Sequence, residues 1–304
     1  MVSRSHPDQA RGLAFAVSAY LIWGLLPLYL MLLRAVPPLA FVGWRIVFTV
    51  PVCLAVVLVS RQGPALVAAL RSRKVVLMLL GSAALIGGNW LVYVAAIAQG
   101  HVFAASLGYY INPLVNVVLG NLFLGERLNR RQSWAVALAA AGILPLAIEA
   151  REMLWISLTL AFSFSGYGLV RKIAPVAPLP GLTIESCLLL LPALGVLGLH
   201  GWSGLDGDPK MTGLVALSGV ITATPLLLFA AAARRMSYTA LGFVQFIAPT
   251  IVFLLGLTVF EEQLRPIQFA SFGLIWLAII LFSRDLLLQQ RGLNPAAVPT
   301  KSPA

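Results

Sequence analysis

Two charged residues stand inside apolar runs of this sequence, Arg45 and Glu185, and they bound the chemistry the chain can perform. Either would cost about 2.5–3.5 kcal/mol at the centre of a membrane helix, so each is a candidate for ion recognition or proton transfer. By helix rise, Arg45 lies ~10 Å below the outer edge of its run and Glu185 ~6 Å above the inner edge of its own. Roughly 14 Å of a ~30 Å hydrocarbon core then separates their backbones. A long arginine covers part of that gap or turns outward to the interface, which leaves direct pairing open. Glu185 is the carboxylate available for proton coupling, with an interfacial structural role as the competing reading.

Uncharged polar residues form a second set. Tyr109, Asn112 and Asn116 share one helical face at i, i+3 and i+7, and Asn89 and Tyr93 share another at i, i+4 with Trp90 beside them. Gln245 occupies a related stretch later in the chain. Taken singly, such residues often only join helices, at about 0.6 kcal/mol each. Grouped at one depth, they suit a small-molecule pocket. An integral-membrane enzyme is the rival class, but it needs acids, bases or nucleophiles at one level, and the ten acidic residues and three histidines fall mostly at the ends of apolar runs. A non-transporting interaction protein would leave the polar set unexplained.

The elements that must position these residues are membrane helices. The chain has 304 residues, 60% hydrophobic and only 10% charged, with mean hydropathy +0.93; soluble domains carry about 25% charged residues. By the ruler of roughly 20 apolar residues per crossing, ten spans are expected, near 12–33, 38–60, 74–98, 102–124, 132–148, 152–170, 181–200, 211–233, 237–260 and 265–284. The net charge of +11 would suggest nucleic acid in a soluble protein. Here the basic residues fill gaps between spans, so no nucleic-acid partner is expected and the bilayer is the surrounding medium. Alternate gaps hold Arg4 and Arg11; Arg61, Arg71, Arg73 and Lys74; Arg127, Arg130 and Arg131; Arg171 and Lys172; Arg234 and Arg235; and Arg284, Arg291 and Lys301. The gaps between them hold only Arg34, Arg151, Lys210 and Arg265, which predicts both termini in the cytoplasm.

A repeat joins the two halves. SLGYYINPLVNVVLGNLFLGERL at 106–128 recurs as GFVQFIAPTIVFLLGLTVFEEQL at 242–264, and Ile111, Pro113, Leu119, Gly120, Glu126 and Leu128 fall on Ile247, Pro249, Leu255, Gly256, Glu262 and Leu264 at a constant displacement of 136. Five spans per half is an odd number, so the second half must enter from the opposite face. The expected fold is therefore an all-α membrane protein of ten helices in two inverted five-helix repeats, 12–148 and 152–284, between cytoplasmic tails 1–11 and 285–304. Pro113 and Pro249 fall near mid-depth and each frees a backbone carbonyl one turn earlier, which predicts broken helices around a central site. Pro225 stands where the first half has Asn89 and is a third candidate hinge. Glu126 and Glu262 end the repeated stretch on opposite faces, as paired gates or as solvated end charges.

Two absences narrow the reading. No GxxxxGK[ST] signature provides for nucleotide-driven transport. Cys53 and Cys187 lie inside apolar runs and are expected as buried free thiols, and no spacing suits a metal, so no cofactor is expected.

The stretches GGNWLVYVAAIAQGHVFAASLGYYINPLVNVVLGNLFLGERL at 87–128 and PLLLFAAAARRMSYTALGFVQFIAP at 225–249 resemble the RarD group of the EamA branch of the drug/metabolite transporter superfamily. The resemblance spans all ten crossings. It implies an inner-membrane permease with inverted repeats, in a group labelled for chloramphenicol sensitivity. The chain departs from the group's pattern at Ala104 and Ala40, where glutamates are expected, and at Trp44, where a histidine is expected. The resulting expectation is a secondary transporter, with efflux favoured, carrying a small amphipathic molecule and possible protons through a pocket of Asn89, Trp90, Tyr93, Tyr109, Asn112, Asn116 and Gln245.

Overall fold

Apolar length and local capping chemistry together set the helices. The computed structural model describes residues 6–99, 101–199, 202, 205, 207–259 and 266–290. The long helices of the first half are α1 (His6–Leu32), α2 (Pro38–Val59), α4 (Arg73–Ala98), α5 (Val102–Leu124) and α6 (Arg130–Glu149). A nine-residue helix α3 (Gly63–Arg71), unforeseen from hydropathy, lies between α2 and α4. The second half comprises α7 (Leu154–Ile173), α8 (Pro178–Leu199), α9 (Pro209–Ala233), the pair α10 (Tyr238–Gln245) and α11 (Ile247–Thr258), and α12 (Pro266–Gln290). Ten spans among the described residues are long and apolar enough to cross a bilayer, with α10 and α11 together making the ninth.

Side chains mark several starts. Ser72 accepts the Val75 N–H at α4, Ser237 accepts the Ala240 N–H at α10, and Asn129 with Gln132 forms a reciprocal capping box at α6. At its far end α5 stops on Gly125, whose φ of 63° is the left-handed conformation that glycine adopts without strain.

The prolines behave unequally. The helix runs without interruption through Pro113 in α5 and through Pro225 in α9, so the breaks expected there are absent. It stops between Gln245 and Ile247, where the ring of Pro249 removes the N–H that would have met the Gln245 carbonyl. Of the three candidates, only Pro249 accompanies a broken helix. Packing flanks the proline of α5 on both sides: Gly108 lies against Leu160 and Ser157 of α7, and Asn116 lies against Gly242 of α10.

Contacts between the halves come in exchanged pairs. Helix α4 packs on α7 as α1 packs on α9; α5 packs on α7 as α1 packs on α10 and α11; α2 packs on α9 as α4 packs on α8. Three further contacts join a helix to its own counterpart: α2 to α8, α5 to α10 and α6 to α12. The main core, built on Tyr20, Phe164, Tyr167, Phe229, Tyr238 and Phe246, therefore draws on both halves.

Candidate functional site

The polar residues of the membrane interior divide into two groups by exposure. Asn89, Asn112, Asn116 and Gln245 are buried, each at 3% exposure or less. Arg45, Trp90, Tyr93 and Tyr109 remain partly accessible, as does Tyr29.

The buried group ties helices together. Asn89 donates its amide to the Leu160 carbonyl at 3.0 Å and to Ser163 Oγ at 2.9 Å, joining α4 to α7. Ser165 of α7 donates to the Asn112 side chain at 3.3 Å. The Asn116 amide donates to Gln245 Oε1 at 3.2 Å, where α5 meets the end of α10, and the Tyr20 hydroxyl of α1 reaches the same oxygen at 3.5 Å. Polar groups that cannot reach water must find such partners, so hydropathy finds these residues but does not separate helix ties from pocket walls.

The accessible group surrounds Arg45. Its guanidinium carbon stands 4.3 Å from the Trp90 ring centre and 6.0 Å from that of Phe41, and its Nε donates to Thr222 Oγ1 of α9 at 3.1 Å. The rings of Tyr93 and Tyr109 meet edge to face at 5.7 Å, and the Tyr29 hydroxyl donates to the Leu214 carbonyl at 2.7 Å. Four of the expected residues, Arg45, Trp90, Tyr93 and Tyr109, thus belong to one aromatic and cationic group. Thr222 and Tyr29 complete it; Thr222 is one of three mid-helix hydroxyls of α9 with Ser218 and Thr224, and no sequence signal singles it out from them.

Glu185 belongs elsewhere. Its Oε1 lies 3.5 Å from the guanidinium of Arg171, with both side chains at 2% exposure or less, and Ser82 of α4 donates to the same oxygen. Direct pairing with Arg45 is not found. Arg171, expected in a gap between spans, lies in the last turn of α7 and is buried within the protein. Gly181 makes room for it, because a Cβ there would collide with the Arg171 guanidinium. A second terminal nitrogen of Arg171 donates to the Pro178 carbonyl at 2.8 Å. Positive charge at a helix C-terminus is common enough that its position suggested solvent; only packing buries it.

Between the two charged groups lies a narrow cavity of about 10 Å³, closed down to the size of a single water in this conformation. Ile46 and Thr49 of α2, Ile86 and Trp90 of α4, Tyr167 of α7, Leu182, Glu185, Ser186 and Leu189 of α8, and Thr222 and Leu226 of α9 line it. Both halves contribute to its walls.

Glu126 has a defined role at the end of the repeated stretch. Its carboxylate accepts the Tyr238 N–H at 2.6 Å on one oxygen and the Thr239 N–H at 2.9 Å on the other, so it caps α10 across the two halves. Gly120 permits the approach: a Cβ there would stand 2.9 Å from Glu126 Oε2. Glu262 lies outside the described residues. Of the two cysteines, Cys53 is buried as expected, whereas Cys187 is exposed.

Comparison with known proteins extends over nearly the whole chain. The profile of the EamA-like transporter family matches residues 10–148. An uncharacterized transporter of Pseudomonas aeruginosa is 42% identical over 281 residues, covering 90% of this chain and 94% of its own. Protein RarD of Escherichia coli is 39% identical over 285 residues, covering 92% of this chain and 96% of its own. The Chloramphenicol-sensitive protein RarD of Pseudomonas aeruginosa is 30% identical over 284 residues, with 90% and 94% covered. A crystal structure with 19% identity covers 94% of this chain and 100% of its own at a TM-score of 0.72, a likeness of fold.

Proposed function

The chain belongs to the EamA-like transporter family, in its RarD-like group, and from that premise we propose that it carries a small amphipathic metabolite or drug by alternating access. The observation that carries this reading is the cavity walled by helices of both halves, at an interface whose contacts come in exchanged pairs. Inverted repeats place a substrate site at such an interface and open it alternately to either side by rocking one half against the other. The halves are 12–148 and 152–284, with both termini cytoplasmic in a bacterial inner membrane by the distribution of lysine and arginine.

Within this mechanism Trp90, a wall of the cavity, joins it to Arg45, and Tyr93 and Tyr109 extend the substrate site beyond it, while Asn89, Asn112, Asn116 and Gln245 hold the surrounding helices in register. Pro249 marks the hinge of the broken ninth span, whereas the helices run on through Pro113 and Pro225. Glu126 acts as a latch between the halves, released when α10 moves away from α5, and Glu262 is its counterpart at the repeat displacement. Glu185, in contact with the cavity and with Arg171, is the proton-coupling residue. Export is the proposed direction. Chloramphenicol enters the list of candidate substrates through the name of one relative.

The test is uptake into proteoliposomes of chloramphenicol and a panel of amphipathic metabolites, with and without an imposed pH gradient. Uptake that rises with the gradient, and loses that response in Glu185→Gln when normalised to folded protein, supports a proton-coupled carrier. Uptake indifferent to the gradient removes Glu185 from that role. Folded protein that moves none of the panel overturns the amphipathic substrate class.

A further inference from the structure

Arg45 is a cation that no carboxylate among the described residues pairs with. The ion pairs among the described residues are Arg131 with Asp285, Arg171 with Glu185, and Arg235 with Asp8, and none includes it. Its Nε is occupied by Thr222, and Trp90 covers one face. Its two terminal nitrogens meet no protein acceptor among the described residues. Those nitrogens present the fork that matches a carboxylate, and a neutral hydroxyl with an aromatic face does not neutralise a guanidinium in a water-poor interior.

The neighbouring charges leave that cation uncompensated. Arg171 and Glu185 offset each other at the other end of the cavity, so Arg45 gives the site one net positive charge. The two residues that hold the guanidinium, Trp90 and Thr222, also line the cavity, and Ile46, Leu189 and Leu226 continue its wall with hydrocarbon. Cation and apolar space are therefore adjacent.

Resting on the transporter reading above, we infer that the transported molecule is a small organic monoanion: its carboxylate sits on the Arg45 guanidinium, and its apolar body takes the seam between Trp90 and Tyr167 once the two halves part and the closed cavity there widens. One free cation matches one negative charge. A second carboxylate would face either the hydrocarbon wall or Glu185, and a cationic ligand would meet Arg45 with like charge. Tyr93 and Tyr109 close the aromatic side and supply no charge at neutral pH.

The probes are phenylacetate, indole-3-acetate and octanoate, each set against its own neutral amide. Binding is read from tryptophan fluorescence of the full chain in lipid nanodiscs, and transport from uptake into proteoliposomes. Each acid is expected to bind at least tenfold more tightly than its amide. Arg45→Gln abolishes that preference, and Arg45→Lys retains part of it because the charge remains. Acids and amides binding alike in the wild-type protein, or the preference surviving in Arg45→Gln, overturns the inference. If Arg45→Gln does not fold, the wild-type ratio and Arg45→Lys decide. Acids that bind but are not taken up leave the anion site supported and sink the transporter reading. Amides taken up in preference to acids support transport and sink the anion site.

Discussion

Arg171 and Glu185 face each other at 3.5 Å with both side chains buried, in the last turn of α7 and the second turn of α8. They bring a charge pair to the wall of a cavity that otherwise holds hydroxyls and hydrocarbon. Breaking a buried pair from one side leaves the other charge stranded, which costs more than the pair contributes.

Arg171→Ala is therefore expected to destabilise the protein by about 3–5 kcal/mol. Replacing both partners, as Arg171→Met with Glu185→Leu, should recover most of that loss. Thermal unfolding in detergent followed by fluorescence checks the pair. A double variant no better than Arg171→Ala alone would show that the two do not act together.

Gly181→Ala tests the same contact from its other side. The added Cβ would collide with the Arg171 guanidinium, and displacing it should cost on the order of 1–3 kcal/mol. Combining Gly181→Ala with Arg171→Ala should be clearly less than additive, measured by the same unfolding.

Glu126→Gln keeps the shape of the latch but removes its charge. The Tyr238 and Thr239 amides then lose a carboxylate partner, an effect of about 0.5–2 kcal/mol on the start of α10. Hydrogen exchange at those two amides is the measurement. Faster exchange there, with α6 unchanged, is the expected pattern; unaltered exchange would mean the cap does not hold the helix.

Asn116→Ala and Tyr109→Ala should separate stability from transport. Asn116 is buried in a bond to Gln245, so its loss should lower unfolding stability by about 0.6–1.7 kcal/mol and leave uptake per folded molecule near normal. Tyr109 is partly accessible beside Tyr93, so its replacement should change uptake more than stability. Paired unfolding and proteoliposome assays decide, and the reverse pattern would exchange the two roles.

Much of the architecture was legible before any coordinates. The hydrocarbon core requires about 20 apolar residues per helix whatever the partners are. Ten spans and the displacement that relates Glu126 to Glu262 follow from composition and spacing alone. The rings of Trp90, Tyr93 and Tyr109 were equally visible as polar-tipped side chains at one depth.

Tertiary structure decided the partnerships. Spacing along one helix says nothing about how neighbouring helices are rotated, so it could not assign Glu185 to Arg171, Arg45 to Thr222 and Trp90, or Asn89 to Ser163. Nor could it separate a proline that breaks a helix from one that does not, since packing on both sides accompanies Pro113 while the ninth span opens ahead of Pro249. Sequence by itself determined which residues must enter the membrane, because that cost is set by each side chain against hydrocarbon. Which of them meet was settled by the packing of helices far apart in the chain, because a buried polar group takes whichever partner the fold brings within reach.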